Sequence, residues 1–430
     1  MKLHQLALLS LFISIGAIRS AQADTWIPRP PGNGFGIGGS HLGTSVAIGD
    51  YSTNGNKTIG SVYVGAPTQD VGAISEAGVV HVFTFGPQGW THAGYVFPSV
   101  PQAGAHFGAS VAYSAGHLVV ASPGAGSVEF FNDSESPTAH VVSETVTTGV
   151  GASAVAADGD MAAIGSSQFN NGNGSAYVYQ RNASGQWQIF NGNAVVTGGV
   201  GGELGASVAI RQTSSTTFIM VAGAPAETQN AHALAGAVHI YIENVQGTGL
   251  LDIGPLTAQN PAFLDVFGTS VGIDANYIYV GATGRDNGAG RVGSVTIFQQ
   301  GTIFGYNYLA EYFPGTPATI GGHCGASLSV DAANSQFILG CPNSDDVYFA
   351  GVGTARVYRQ FVFLGQTVWL ESVLDFGTAL HGAGDALGSS VSIYGDHAFV
   401  GAPNANLHAA GQGRVSEFVP DKIFQDGFGG

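Results

Sequence analysis

Seven times along the chain a short run of small residues recurs. The copies are Leu42-Gly43-Thr44-Ser45-Val46, Phe107-Gly108-Ala109-Ser110-Val111, Val150-Gly151-Ala152-Ser153-Ala154, Leu204-Gly205-Ala206-Ser207-Val208, Phe267-Gly268-Thr269-Ser270-Val271, Cys324-Gly325-Ala326-Ser327-Leu328 and Leu387-Gly388-Ser389-Ser390-Val391. Their glycines lie 43 to 65 residues apart, close to the span of one four-stranded propeller blade. A second anchor follows each copy. It is complete at Gly65-Ala66-Pro67, Gly223-Ala224-Pro225 and Gly401-Ala402-Pro403. It is looser at Ala121-Ser122-Pro123, Gly281-Ala282-Thr283 and Gly340-Cys341-Pro342, and degenerate at Ile164-Gly165-Ser166. A third anchor is a glycine opening an alternating run, as in Gly78-Val79-Val80-His81-Val82-Phe83 and Gly236-Ala237-Val238-His239-Ile240-Tyr241. That period of two is the mark of a half-buried strand.

A fourth strand carries a large residue: Trp90, Trp187 and Trp369 each follow the third strand of their repeat. The seventh repeat ends near Gly413-Arg414-Val415-Ser416-Glu417-Phe418 without one. The segment around Trp26-Ile27 is expected to supply it, covering an edge that would otherwise be open. Pro28, Pro30 and Pro31 limit that strand to a few residues. The expected fold is therefore all-β: a seven-bladed β-propeller of four-stranded antiparallel blades over residues 24–420, its last blade completed by the N-terminal strand. A solenoid or a row of sandwiches would not need its two ends to meet. Composition agrees, with 67 glycines and only 9% charged residues pointing to short strands and tight turns rather than long helices. At 44% hydrophobic residues, the chain has ample material for a core.

Residues 1–23 read as a signal peptide: Lys2, an apolar run from Leu6 to Ile18, and the small-x-small site Ala21-Gln22-Ala23. The apolar run is too short to span a bilayer comfortably. The chain is thus expected to be secreted, whether extracellular, periplasmic or at the cell surface, without membrane insertion after cleavage, and to be a monomer. The net charge of −16 makes nucleic acid and anionic membranes poor partners. Cys324 takes the Phe/Leu place of its repeat and Cys341 the Ala of its second anchor, on neighbouring strands of one blade. In an oxidising compartment they are expected to form a disulfide, stabilising by about 3 kcal/mol; the alternative is a reactive pair beside His323.

The succession Phe/Leu-Gly-x-Ser-Val, Gly-Ala-Pro and Gly-x-Val-x-Val-Phe resembles the FG-GAP repeat, which builds the propeller of integrin alpha subunits and of many secreted bacterial proteins. The resemblance spans roughly residues 26–420 and implies a role in adhesion or ligand binding. Integrin-type blades often carry a calcium loop between their first two strands. Here most of those connections are tight hairpins without carboxylate clusters, such as Ser114-Ala115-Gly116 and Asp158-Gly159-Asp160. Only Asp50-Tyr51-Ser52-Thr53-Asn54-Gly55 approaches the pattern, with Asp50, Ser52 and Asn54 as candidate Ca²⁺ ligands. It has a single carboxylate, so an ordinary Asn-Gly turn is the preferred reading and no cofactor is expected. Residues 421–430, with Ile423-Phe424-Gln425-Asp426-Gly427-Phe428, look like a short tail found on secreted proteins of some Gram-negative bacteria.

Gly268-Thr269-Ser270-Val271-Gly272 matches a nucleophile elbow in letters. The same serine recurs in every repeat, and a strand-turn-helix setting is lacking, so no catalytic residue is assigned. A ligand-binding face is expected instead. The loops leading into each blade lie on the same side as those after the second anchors. They hold His41, His106, Glu203, Asp265, His323 and Asp385 in the first set, and Asp286, Asp345 and Asp346 in the second. Loops on a rigid scaffold are where binding concentrates. The expected function is non-enzymatic binding or adhesion toward a protein or carbohydrate ligand. A secreted hydrolase or lyase with its site at the ring mouth, or a structural surface component, stands as the alternative, because the fold alone does not decide.

Overall fold

The computed structural model describes residues 26–29 and 38–420, apart from 50–51, 55–56, 87–88, 134–139, 148–150, 193, 244–248, 302–304, 316–318, 346–349, 364, 375–381 and 407–409. Seven antiparallel sheets follow one another around a ring. Their innermost strands are Ser45–Ile48, Ser110–Ser114, Ala154–Asp158, Ser207–Gln212, Phe267–Ile273, Ser327–Asp331 and Ser390–Tyr394, defining blades 1 to 7. Within blade 1 the order runs outward through Ser61–Ala66, Val79–Gly86 and Gly89–Val96. Blade 3 departs from four plain strands. Its outer strand is broken into Trp187–Ile189 and Val195–Thr197, both paired with Ser175–Arg181. Between them Phe190 drops into the core against Phe218, 5.0 Å between rings.

The core lies between the blades rather than in one mass. Second strands such as Ser61–Ala66 and Tyr277–Ala282 are buried at every residue, because a blade covers each face. Each of the seven junctions has its own apolar layer. Val64, Phe83 and Trp90 of blade 1 meet Phe399 and Val415 of blade 7, while Val80 and Val82 on the other face meet Phe107, Leu118 and Val120 of blade 2. The three blade tryptophans each pack against the preceding blade: Trp90 on Phe399 at 5.1 Å, Trp187 on Phe130 at 4.6 Å and Trp369 on Tyr277 at 5.1 Å. Their bulk wedges the wide outer part of the junction.

Near the axis the reverse is required, and the repeated glycine and serine meet that requirement. A Cβ on Gly223 would stand 2.1 Å from the carbonyl oxygen of Gly268 in the next blade, so no other residue fits. Gly268 itself has φ +94°, a region that L side chains rarely adopt. The same approach, 1.9–2.3 Å, recurs at Gly65, Gly165, Gly281, Gly340 and Gly401. The carbonyl so exposed accepts the repeat serine: Ser45 Oγ donates to Gly108 at 2.7 Å, Ser207 to Gly268 at 2.8 Å, Ser270 to Gly325 at 2.7 Å, Ser327 to Gly388 at 2.8 Å and Ser390 to Gly43 at 2.8 Å. Ser153 reaches Gly205 at 3.3 Å. The exception is the junction of blades 2 and 3. There Ala121 holds the place of the close-approach glycine, and Ser110 accepts the Val155 N–H instead. The extra methyl excludes the tight approach, and the hydrogen bond changes with it.

Blade 7 meets blade 1 by the same devices. Ser390 bonds Gly43, Leu42 bridges Gly413, and Ser40 Oγ donates to the Gln412 carbonyl at 2.9 Å. Trp26–Arg29 lies antiparallel beside Arg414–Pro420, with Trp26 opposite Pro420 and Arg29 opposite Glu417. The disulfide joins Cys324 and Cys341, both buried. It occupies the place of the Phe267/Ala282 pair in blade 5, linking two side chains that elsewhere simply pack. Residues 1–23 and 421–430, and hence the leader and tail readings, lie outside the described residues.

Replacing Gly223 by Ala is expected to cost at least about 3 kcal/mol, because backbone must move. Ser207→Ala should cost about 1 kcal/mol, the worth of one hydrogen bond. Chemical denaturation compares the two, and equal effects would contradict the close-approach argument. Deleting residues 24–29 uncovers the edge at Arg414–Pro420. A lower Tm or self-association by light scattering is expected, and an unchanged Tm and molecular mass would mean that the first strand does not fasten the ring.

Candidate ligand-binding face

Among the described residues, six lead-in loops are fixed to the preceding blade by their backbone. The residue two before the repeat glycine takes a left-handed conformation: His41 at φ 50°, His106 at 56°, Glu203 at 58°, Val266 at 54°, His323 at 53° and Ala386 at 58°. Such a conformation costs an ordinary residue about 1–2 kcal/mol. The return is an inter-blade bond. His41 N–H donates to Gly411, His106 to Glu76, Glu203 to Gly172 and Val266 to Leu234, at 2.9–3.1 Å. The acceptors are left-handed too, including Glu76 at 50° and Leu234 at 55°. Four of the residues read as ligand-binding, His41, His106, Glu203 and His323, therefore occupy a structural position of the repeat. Their side chains brace the neighbouring loops in pairs. His41 Nδ1 meets Thr68 Oγ1 at 3.2 Å, His106 Nε2 meets Glu76 Oε2 at 3.2 Å, and His323 Nδ1 meets Asn343 Nδ2 at 2.9 Å. Glu203 Oε1 accepts from Gln168 at 3.5 Å. Among the described residues no three His, Cys, Asp or Glu side chains stand close enough to hold a metal ion.

The acids differ from their expected placement. Asp265 and Asp385 sit one residue earlier than the histidines and are buried, at 2% and 3% exposure, not presented to solvent. The carboxylates turn back to hold their own loops, Asp265 accepting Ala262 N–H at 2.7 Å and Asp385 accepting Gly382 N–H at 2.8 Å. Asp286 accepts Gly288 and Gly290 N–H groups, and Asp345 accepts that of Gly351. Asp346 lies outside the described residues. So does Asp50; Ser52–Asn54 pairs with Lys57–Ile59 as a hairpin with Asn54 opposite Lys57.

What the sequence did not reveal is the apolar character of this face. Val100, Val200, Phe263 and Ile320 in lead-in loops, and Leu234 in a second-to-third loop, are exposed by 67%, 97%, 52%, 66% and 37%. A signal existed: each lies outside the alternating runs that mark the strands. Arg285 is a further residue of this face that the sequence pattern does not mark. Its guanidinium donates to Asp265, to Glu311 and to the carbonyls of Gln259 and Asn260, so it clamps the loop that carries Phe263.

On the axis the inner strands surround a bore of about 370 Å³. Its lining is mainly Val, Ala and Ile, with Tyr113, Tyr394, Ser329 and Ser392 the polar side chains. Ser270, the serine of the elbow-like run, is spent on the Gly325 carbonyl.

Two histidines at one repeat position have opposite chemistry. His81 and His239 each stand third after the glycine opening a third strand. Burial, and then the neighbouring His92, push the His81 pKa down to about 3; its Nε2 meets only the neutral Gln69 Oε1, at 2.8 Å. His239 faces carboxylates on both sides, Glu227 at Nε2 and Asp252 at Nδ1, each at 2.9 Å. Burial opposes its charge, but hydrogen bonds to Glu227 and Asp252 and their negative charges outweigh it, and its pKa is raised. The triad ties the loop after the second strand to the third and outer strands of blade 4.

The FG-GAP repeat family matches residues 252–298. That stretch runs from the outer strand of blade 4 to the third strand of blade 5 and includes one copy of each anchor. No curated protein matches the chain. Among solved structures, Sqt1 of Saccharomyces cerevisiae is similar at 14% identity and a TM-score of 0.49, over 90% of this chain and 88% of that one. A protein from Lactobacillus plantarum is similar at 12% identity and a TM-score of 0.48, over 77% and 85%. Neither likeness bears on function, and the fold rests on the strand pairing above.

The two histidines define opposite pH windows. A raised folded pKa stabilises fully below the unfolded value of about 6.5 and loses that contribution as pH rises through the folded value; a depressed one costs stability as pH falls below about 6.5. Histidine NMR titration should find His239 still protonated at pH 6.5 and His81 neutral down to pH 4.5. His239→Gln should remove the loss of stability on the alkaline side; an unchanged profile would contradict the triad's charge state.

Proposed function

We propose that this seven-bladed β-propeller, which matches the FG-GAP repeat over residues 252–298, is a secreted, non-enzymatic binding or adhesion module whose loop face takes a protein or carbohydrate ligand. The observation that carries this reading is the pairing of rigidity with exposure on one face. Lead-in loops locked by left-handed backbone clips display Val100, Val200, Phe263 and Ile320 to solvent. Fixed loops lose little entropy on binding, and exposed apolar side chains supply the area that association buries. The signal-like residues 1–23 and the disulfide support an extracellular or periplasmic setting. No helix among the described residues is long and apolar enough to cross a membrane.

Protein and carbohydrate arrays probed with the labelled mature chain, with and without Ca²⁺, test the proposal. At least one partner retained without Ca²⁺ and weakened tenfold by Val200→Ser or Phe263→Ser is the expected outcome. Absence of any partner, or turnover of an arrayed substrate, would overturn it.

A further inference from the structure

One sector of the loop face, across blades 4 to 6, combines apolar anchors with a cation, Arg291, that forms no salt bridge among the described residues. Leu264 N–H donates to Ala233 and Val266 N–H to Leu234, which sets the Leu234 loop beside the Phe263 loop. From the other side Arg291 donates through Nη2 to the Phe263 carbonyl at 2.8 Å and through Nη1 to that of Leu264 at 3.4 Å. Gly321 N–H donates to the Arg291 carbonyl, and the Ile320 side chain lies over Gly290, where a Cβ would meet it at 2.7 Å. Leu234, Phe263, Arg291 and Ile320 are thus linked in one strip.

The strip also carries a positive charge beside its apolar residues. Arg181, Arg285, Arg356 and Arg359 each pair with a carboxylate. Arg291 meets only carbonyl oxygens, with no carboxylate partner among the described residues. The nearby Asp286 turns its Oδ1 into its own loop, toward Gly288 and Gly290. The chain as a whole is acidic, at −16. That charge acts over distances that physiological salt screens beyond about 8 Å, whereas a direct contact with Arg291 is not screened in this way. Guanidinium groups pair bidentately with carboxylates, and Arg is enriched in binding hot spots.

We propose that the strip Leu234, Phe263, Arg291 and Ile320 binds an acidic, apolar protein segment, placing a carboxylate on Arg291 and bulky apolar side chains against Phe263 and Ile320. This rests on the binding reading above and narrows its ligand to protein. Phe263 is pre-positioned for the task, since Arg285, Arg291 and Asp265 all hold its loop. The backbone that carries this aromatic residue is therefore already ordered in the free protein.

The test uses surface-displayed octapeptides carrying two acidic residues around two large apolar ones, with lysine and alanine counterparts of the same peptides. The mature chain is expected to bind the acidic-apolar set at least tenfold better than either counterpart. Phe263→Ser and Arg291→Glu should each remove that preference. Arg291 also supports the loop, so Ile320→Ser, which breaks no hydrogen bond, serves as the independent variant and should weaken binding at least threefold. Val362→Ser, an exposed residue of the blade 6 hairpin, should change nothing. Equal binding of the three peptide sets, or an unaltered preference in Ile320→Ser and Phe263→Ser, overturns the assignment. An array partner that these variants still bind refutes this surface while leaving the binding function standing; an array without partners refutes the function itself.

Discussion

Everything in this ring depends on how closely two backbones approach beside the axis. A wedge-shaped blade must be thin at its inner end, and six of the seven junctions achieve this by setting a glycine against the carbonyl of the next blade's glycine. That contact turns the carbonyl toward the repeat serine, so one requirement of shape produces one hydrogen bond per junction. The junction of blades 2 and 3 supports the argument, because Ala121 and the altered bond of Ser110 occur together.

Thin inner ends and wide outer ends divide the work of stabilisation. Aromatic residues such as Trp90, Trp187 and Trp369 fill the outer part of three junctions, while polar backbone contacts hold the inner part. The loops inherit the rigidity. Left-handed residues on both sides of a junction, such as Val266 and Leu234, are tolerated because each pair forms a bond between blades. Backbone strain at these positions has a structural cause that repeats around the ring, and by itself it marks no active site.

Residues that looked alike in the sequence part company in three dimensions. His41, His106, Glu203 and His323 were legible as polar loop residues, but not as positions defined by a positive φ. Asp265 and Asp385, read as exposed, are buried because each carboxylate returns to a backbone N–H three residues earlier. His81 and His239 share one repeat position, yet Gln69 beside one and Glu227 with Asp252 beside the other give them opposite protonation. The pairing of Cys324 with Cys341 was legible, since the repeat assigns both to known places in one blade.

By itself the sequence determined the number of blades, the inner strands and the glycine and serine positions, because local geometry makes them recur around the ring, and the disulfide, because that repeat puts Cys324 and Cys341 on neighbouring strands of one blade. Only the tertiary structure decided which loop residues reach solvent and which cations keep a carboxylate partner. Those outcomes turn on contacts between residues far apart along the chain, such as Arg291 with the Phe263 carbonyl, 28 residues away. The spacing of residues along one strand carries no record of such contacts.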